Sequence, residues 1–141
     1  MTVSSKAGLF ALRHAADVVE TFVESKLSAV GLSIPKLAAL SRLVEAGDSL
    51  PLGQLAERLA CVKSNVTQLV DRLEADGLVA RTLDQADRRS RLAVITPAGR
   101  AAHAEGARVL ADAERQVCNR LSDDDSLRLA EIIAKLDERG R

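Results

Sequence analysis

The stretch that decides the fold is residues 55–99, LAERLACVKSNVTQLVDRLEADGLVARTLDQADRRSRLAVITPAG. Its apolar residues have the spacing of two amphipathic helices, the first with Leu55, Ala56 and Leu59 and the second with Val66, Leu69, Val70 and Leu73. Residues 60–63 suffice only for a turn between them, and Gly77 is a left-handed cap that ends the second helix. Two β-rich runs follow, residues 78–83 and 91–96, separated by the polar segment DQADRRS. This order predicts a helix-turn-helix with a winged hairpin behind it.

The same stretch resembles a known family. The segments VTQLVDRLEADGLV and DQADRRSRLAVITPAG are similar to the MarR-type winged-helix transcriptional regulators, with matches at Asp87, Arg88, Arg89, Leu92, Ile95, Thr96 and Gly99. The resemblance is sharpest over residues 33–99, whereas the flanking helices agree only in length and order. It implies a mainly α fold with an α+β winged-helix head at residues 34–100. Residues 1–33 and 101–141 are then expected to supply long helices for dimerisation.

The flanking segments have helix patterns of their own. Apolar residues at every third or fourth position predict a helix over residues 5–30, stopped by Gly31. Ser33 is expected to cap the next helix, which Gly47 ends, with a buried face of Leu37, Leu40, Leu43 and Val44. Residues 49–52 are β-like, and Pro51 confines that strand to a sheet edge.

After the wing, Thr96 and Pro97 open a helix that can run to about residue 121. Ser122 caps the last helix, with acidic residues in its first turn and an apolar stripe of Leu129, Ile132, Ile133 and Leu136. A single chain of this size would struggle to cover the apolar faces of the long terminal helices. We expect a homodimer that interlocks the first, fifth and sixth helices; the alternative is a monomer in which these helices cover the head.

Composition excludes several classes of protein. Charged residues make up 28% and hydrophobic residues 47%, the net charge is zero, and the aromatic residues are Phe10 and Phe22 alone. No uncharged apolar run approaches the roughly 18 residues of a membrane span, so we expect a cytoplasmic protein without a membrane partner. Two distant cysteines and two distant histidines support neither a disulfide framework nor a metal site. Because no catalytic constellation or cofactor motif is visible, the sequence is not that of an enzyme.

The second helix of the central stretch has a polar face suited to a DNA groove. At 100° per residue, Ser64, Gln68 and Asp71 lie opposite the apolar side, with Thr67 and Arg72 at the margins. Ser64, Thr67 and Gln68 can hydrogen-bond bases, whereas Lys63 and Arg72 suit phosphates. The expected DNA contacts of this helix are Lys63, Ser64, Asn65, Thr67, Gln68 and Arg72. The alternative is an ordinary solvated polar face.

The wing adds a more specific signal. Residues 84–100 carry four arginines against two aspartates, which makes a modestly basic hairpin. The family resemblance implies that Arg89 enters a minor groove, that Asp87 braces it and that Arg88 touches the backbone; a narrow minor groove attracts inserted arginine. The alternative is a surface ion pair between Asp87 and an arginine, worth about 0–1 kcal/mol and irrelevant to binding.

Two residues depart from the family pattern. Where the family usually opens this helix with Ser or Thr, the chain has Val62, which cannot accept a capping hydrogen bond. Either the helix start is shifted or Ser64 caps it, in which case Ser64 is not available to a base. Cys61 invites a redox hypothesis, but the family's oxidant sensors carry their cysteine near the first helix, which has none here. A structural cysteine is the favoured interpretation.

The sequence therefore predicts a dimeric, sequence-specific DNA-binding regulator. We expect a repressor that binds a pseudo-palindromic operator on double-stranded DNA and responds to a small-molecule effector between the head and the dimer helices. The family often recognises aromatic compounds; because this chain has few aromatic residues, an aliphatic effector or none is an open alternative. The rival function is a winged-helix protein-interaction module without DNA-binding activity.

Overall fold

The computed structural model describes residues 5–60 and 65–138, with side chains from residue 8 onward. In chain order the elements are α1 (Ser5–Ser28), α2 (Ile34–Glu45), β1 (Ser49–Pro51), α3 (Leu52–Arg58), α4 (Val66–Ala75), β2 (Val79–Leu83), β3 (Arg91–Ile95), α5 (Pro97–Cys118) and α6 (Asp123–Asp137). This is the mainly helical winged-helix fold that the sequence predicts. Helix α5 ends at Cys118, about one turn before the predicted end.

Side-chain caps open three of the helices at the predicted residues. The hydroxyl of Ser33 accepts a hydrogen bond from the Lys36 amide at 3.2 Å, and that of Thr96 accepts one from the Gly99 amide at 3.0 Å. Ser122 and Asp125 form a reciprocal capping box, which satisfies two otherwise unpaired backbone donors. These caps fix where each helix begins, and therefore where the wing and the head meet the long helices.

The connection from α4 to the wing depends on Gly77. Its φ is 76°, and the amide of Leu78 donates to the carbonyl of Leu73 at 2.9 Å. An L-residue with a side chain rarely adopts this left-handed conformation. The prediction of a glycine cap is confirmed, and the cap turns the chain directly from the end of α4 into β2.

The sheet has the order β1-β3-β2, with both pairs antiparallel. Strands β2 and β3 form the wing hairpin, in a register that runs from Val79 opposite Ile95 to Leu83 opposite Arg91. Short β1 pairs with the other side of β3, so Pro51 lies on an edge strand as predicted. Residues 84–90 project beyond the paired strands as the wing tip.

The core joins the head to the end of α1. Its largest fully buried side chains are Leu27, Leu40, Leu43, Leu55, Leu73 and Val70. The prediction that Val44 is buried is wrong: its side chain is 37% exposed, whereas Ala39 is completely buried. The buried face of α2 is centred on Ala39, Leu40 and Leu43, which places Val44 at its margin in the last turn.

Helix α5 crosses the α1–α2 connection at Gly106. A Cβ atom there would lie 2.6 Å from Leu32 Cδ1 and 2.8 Å from Leu37 Cδ1, so the absent side chain permits the close crossing. Beyond this crossing the long helices leave apolar side chains uncovered within the chain. The exposed set comprises Leu9, Phe10, Leu12, Val18 and Val19 on α1 and Leu127, Leu129, Ile132, Ile133 and Leu136 on α6.

Candidate nucleic-acid interface

Helix α4 starts one turn later than the family pattern suggests. Its N-cap is Asn65, whose Oδ1 accepts a hydrogen bond from the Gln68 amide at 3.3 Å. Of the two alternatives, the structure has the shifted helix start, with Asn65 as the cap. The predicted DNA contacts Lys63 and Ser64 lie outside the described residues, as do Cys61 and Val62. Asn65, also predicted to contact DNA, uses its side-chain oxygen to begin the helix.

The remaining predicted contacts of α4 lie on its outer face. Leu69, Val70 and Leu73 are buried against the core, whereas Thr67, Gln68 and Arg72 are exposed. This division follows from the helical period, which separates the two sets of positions on opposite sides. Two hydrogen-bonding side chains thus occupy the N-terminal half of α4, and a cation follows one turn later.

The wing tip is organised by two aspartates. Asp84 Oδ1 accepts a hydrogen bond from the Ala86 amide at 2.9 Å, and Asp87 Oδ1 accepts one from the Arg89 amide at 3.0 Å. Both are Asx turns, in which the aspartate side-chain oxygen accepts a hydrogen bond from the backbone amide two residues later. A further bond from the Ser90 amide to the Asp87 carbonyl, 2.9 Å long, closes the turn.

The side chain of Asp87 therefore contacts the backbone of Arg89. Within the described residues its carboxylate makes no ion pair with the Arg89 guanidinium; the bond is to the amide. The side chains of Arg88 and Arg89 are both exposed. The geometry sets the direction in which the chain leaves the turn, and thus the direction in which both arginines project.

Sequence reasoning missed one residue of this region, Arg81 on β2. Its guanidinium lies 2.6 Å from Asp71 Oδ1 and 3.3 Å from Glu74 Oε1, and both acids belong to α4. Two acids three residues apart followed by an arginine in the next strand were visible in the sequence. Their mutual distance depends on how the wing packs against α4, which helical periodicity does not give.

A cavity of about 770 Å³ lies between the long helices and the head. Its walls are almost entirely aliphatic, with side chains from α1, α2, α5 and α6 such as Val19, Ala38, Leu110 and Ile133. The polar residues that line it are Glu20, Ser41, Arg42 and Glu45. Neither phenylalanine lines the cavity, and its mainly apolar lining suits an aliphatic guest.

The remaining sequence features to locate are a histidine, possible metal ligands and possible membrane spans. His103 Nε2 lies 3.2 Å from Ser41 Oγ, a half-buried contact between α5 and α2. Within residues 5–60 and 65–138, no group of three or more His, Cys, Asp and Glu side chains is arranged to hold a metal ion. In the same part of the chain, every helix is too short or too polar to span a bilayer.

Two helices, α3 and α4, followed by the projecting β2–β3 hairpin, with the short β1 before them pairing to β3, define the winged-helix class. The chain belongs to the MarR family of this class, whose family model matches residues 30–90. The transcriptional activatory protein BadR of Rhodopseudomonas palustris is 37% identical over 94 residues, which are 64% of this chain and 53% of BadR. The chain spans about half the length of the curated relatives it matches.

Solved structures agree over nearly the whole chain. A probable transcriptional regulator from Pseudomonas aeruginosa is 31% identical, with a TM-score of 0.77, and the match covers 90% of this chain and 94% of that one. A mutant MarR from E. coli, solved with operator DNA, has the same fold at 19% identity and a TM-score of 0.77, with 92% of this chain and 94% of that chain covered. The names of BadR and of the Pseudomonas aeruginosa protein are those of transcriptional regulators.

Proposed function

We propose that this chain binds a pseudo-palindromic operator as a homodimer and represses transcription in the cytoplasm. The observation that carries the proposal is the position of α4 and the wing on one head. Helix α4 exposes Thr67, Gln68 and Arg72. The wing tip, which projects from the sheet of the same head, exposes Arg88 and Arg89. The head is residues 34–100, and residues 1–33 and 101–141 are the dimerisation region.

In this proposal each α4 enters a major groove. The N-terminal half of a recognition helix is the part that reaches base edges. Gln68 can make a bidentate pair with adenine and Thr67 a single hydrogen bond or a methyl contact, whereas Arg72 suits a phosphate. Lys63 and Ser64 join this set on sequence grounds alone. A mutant MarR from E. coli, which shares the fold, was solved in complex with operator DNA, which supports DNA as the partner.

Each wing then meets the adjacent minor groove. Arg89 is the inserted residue and Arg88 a backbone contact, as the family resemblance implies. A narrow minor groove has an enhanced negative potential that favours such an arginine. The Asx turn at Asp87 supports this assignment because it fixes the backbone from which Arg89 projects.

The second chain covers the apolar helix faces. Leu127, Ile132 and Leu136 on α6 are each more than half exposed, as are Leu9 and Phe10 on α1. Contiguous exposed apolar surface of this kind marks an interface. Because the apolar stripe of α6 does not cover the head, the arrangement supports a dimer rather than the monomeric alternative.

The aliphatic cavity is the proposed effector site. It lies where α2 of the head meets α1, α5 and α6, so a guest there would contact both the head and the dimer helices. A ligand that fits better in one spacing of the two heads shifts the population towards that spacing. The absence of aromatic side chains from its lining favours an aliphatic effector; regulation without an effector is the alternative.

Activation is the second candidate outcome. It is favoured by the 37% identity to BadR, whose name is that of an activator. Repression and activation both require operator binding and differ in where the operator lies relative to the promoter. A reporter fused to the bound promoter, with and without this chain, distinguishes them.

Operator binding is tested with a mobility-shift assay on the promoter next to the chain's own gene. A specific regulator should bind that fragment about 10³-fold or more tightly than shuffled DNA at the same salt concentration. Equal affinity for both fragments would overturn the operator proposal. No DNA binding at all would favour the protein-interaction module instead.

A further inference from the structure

Arg81 connects the wing strand β2 to the recognition helix α4 through several contacts. Its Nη2 lies 2.6 Å from Asp71 Oδ1 and donates to the carbonyl oxygen of Thr67 at 3.4 Å, while Nη1 lies 3.3 Å from Glu74 Oε1. The backbone amide of Arg81 also donates to Glu74 Oε2 at 3.2 Å. One residue of β2 therefore holds acceptors along two turns of α4.

The acids that Arg81 holds are unfavourable residues for a DNA-reading helix. Helix α4, VTQLVDRLEA, carries one arginine against two carboxylates, a net charge of −1. Double-stranded DNA presents about one negative charge per 1.7 Å of its axis, so an uncompensated carboxylate on the approaching helix opposes binding. Asp71 and Glu74 are 57% and 44% exposed even when paired.

The position of the Arg81 side chain favours ion pairs with Asp71 and Glu74 over a contact with a DNA phosphate. The Arg81 side chain is only 23% exposed, and its cross-strand neighbour Ala93 is fully buried. Directly opposed residues of an antiparallel pair share a face of the sheet, so the stem of Arg81 lies on the core side. The planar fork of a guanidinium can reach several acceptors at once, which a lysine cannot.

We propose that Arg81 is a positioning residue for DNA binding, which neutralises Asp71 and Glu74 and turns them towards the wing strand, away from the operator. The proposal rests on the proposed function, since it takes α4 as the helix that meets DNA. It assigns Arg81 no contact with the operator. Its effect on affinity is exerted through the two carboxylates of α4.

The test is a rescue experiment on operator binding by the full chain. Arg81→Gln should weaken binding about 5–30-fold for the dimer, because each of the two heads loses charge pairing worth a factor of a few. Adding Asp71→Asn and Glu74→Gln to that variant removes the unpaired charges and should restore affinity to within about threefold of wild type. Arg81→Lys, which keeps a charge at the site, should bind more tightly than Arg81→Gln.

Arg108 supplies a matched control. It also lies near two carboxylates, those of Glu105 at 2.6 Å and Asp112 at 3.5 Å, but on α5. Because the Arg108 side chain is 62% exposed and apolar side chains form the proposed dimer interface, Arg108→Gln should still sediment as a dimer and should leave operator affinity unchanged.

Two results would overturn the proposal: a triple variant as weak as Arg81→Gln, which would indicate a direct phosphate contact, or an Arg81→Lys variant no better than Arg81→Gln. Failure of the wild-type chain to bind the operator is a separate outcome, which overturns the proposed function first.

Discussion

Two substitutions at Asp87 separate the turn that this residue forms from the charge that it carries. Asp87→Asn removes the negative charge but keeps the side-chain oxygen that accepts from the Arg89 amide. Asp87→Ala removes both. The two variants change the net charge of the wing equally, so any difference between them measures the turn.

The expected size of the difference follows from the single hydrogen bond. An intramolecular hydrogen bond contributes about 0.5–1.5 kcal/mol net, and the exposed tip places this one in the lower half of that range. The bond occurs once in each chain, so a dimer with both wings engaged loses about 1–2 kcal/mol, or about 5–30-fold in Kd. We expect Asp87→Asn to bind the operator at least as tightly as wild type, and Asp87→Ala to bind it more weakly than wild type and more weakly than Asp87→Asn by this factor.

Fluorescence anisotropy with labelled operator DNA at fixed salt measures both variants. A purely electrostatic role for Asp87 predicts that both bind more tightly than wild type, and equally so. In a cycle with Arg89→Ala, the loss from Asp87→Ala should shrink because the turn has no inserted side chain left to aim. Tighter binding by Asp87→Ala, or strict additivity in the cycle, would leave Asp87 as an ordinary surface acid.

Other predictions concern assembly, packing and redox chemistry. Sedimentation at micromolar concentration should show two chains per particle, and Ile132→Asp on α6 should give a particle of one chain with unchanged helical circular dichroism; a wild-type monomer contradicts the dimer. Urea unfolding should show Gly99→Ala destabilised by about 1–3 kcal/mol, because a Cβ there meets the backbone carbonyl of Leu78. Gly106→Ala should lose less, since it meets leucine methyl groups that can rotate and gains about 1 kcal/mol of helix propensity; the reverse order would contradict this. Cys61→Ser should leave any release of the operator by peroxide unchanged, and release by the wild type alone would establish a sensor.

Local signals in the sequence predicted the elements of this fold well. The caps at Ser33, Thr96 and Ser122 and the left-handed Gly77 depend on a few neighbouring residues, so their chemistry can be read directly. The start of α4 is not fixed by such a signal, because several polar residues there can cap a helix and the family pattern indicates an earlier position than Asn65.

Side-chain contacts between different helices and strands could not be predicted from the sequence. The pairing of Arg81 with Asp71 and Glu74 requires the packing of the wing on α4, which no period in the chain encodes. The family resemblance implies that Asp87 braces Arg89, and in the structure the Asp87 carboxylate accepts a hydrogen bond from the Arg89 amide. The resemblance implies which residue Asp87 contacts, whereas the atom that it contacts is visible only in the structure.

The spacing of the operator half-sites provides the most direct test of paired, two-fold groove binding. Inserting five base pairs between the half-sites rotates one of them by about half a helical turn, since a turn holds about 10–10.5 bp. Because two heads joined by fixed helices cannot then face both half-sites, we expect specific binding to fall to the level of shuffled DNA. The same five base pairs inserted outside the half-sites should have no effect. Undiminished affinity for the operator with the central insertion would contradict the account.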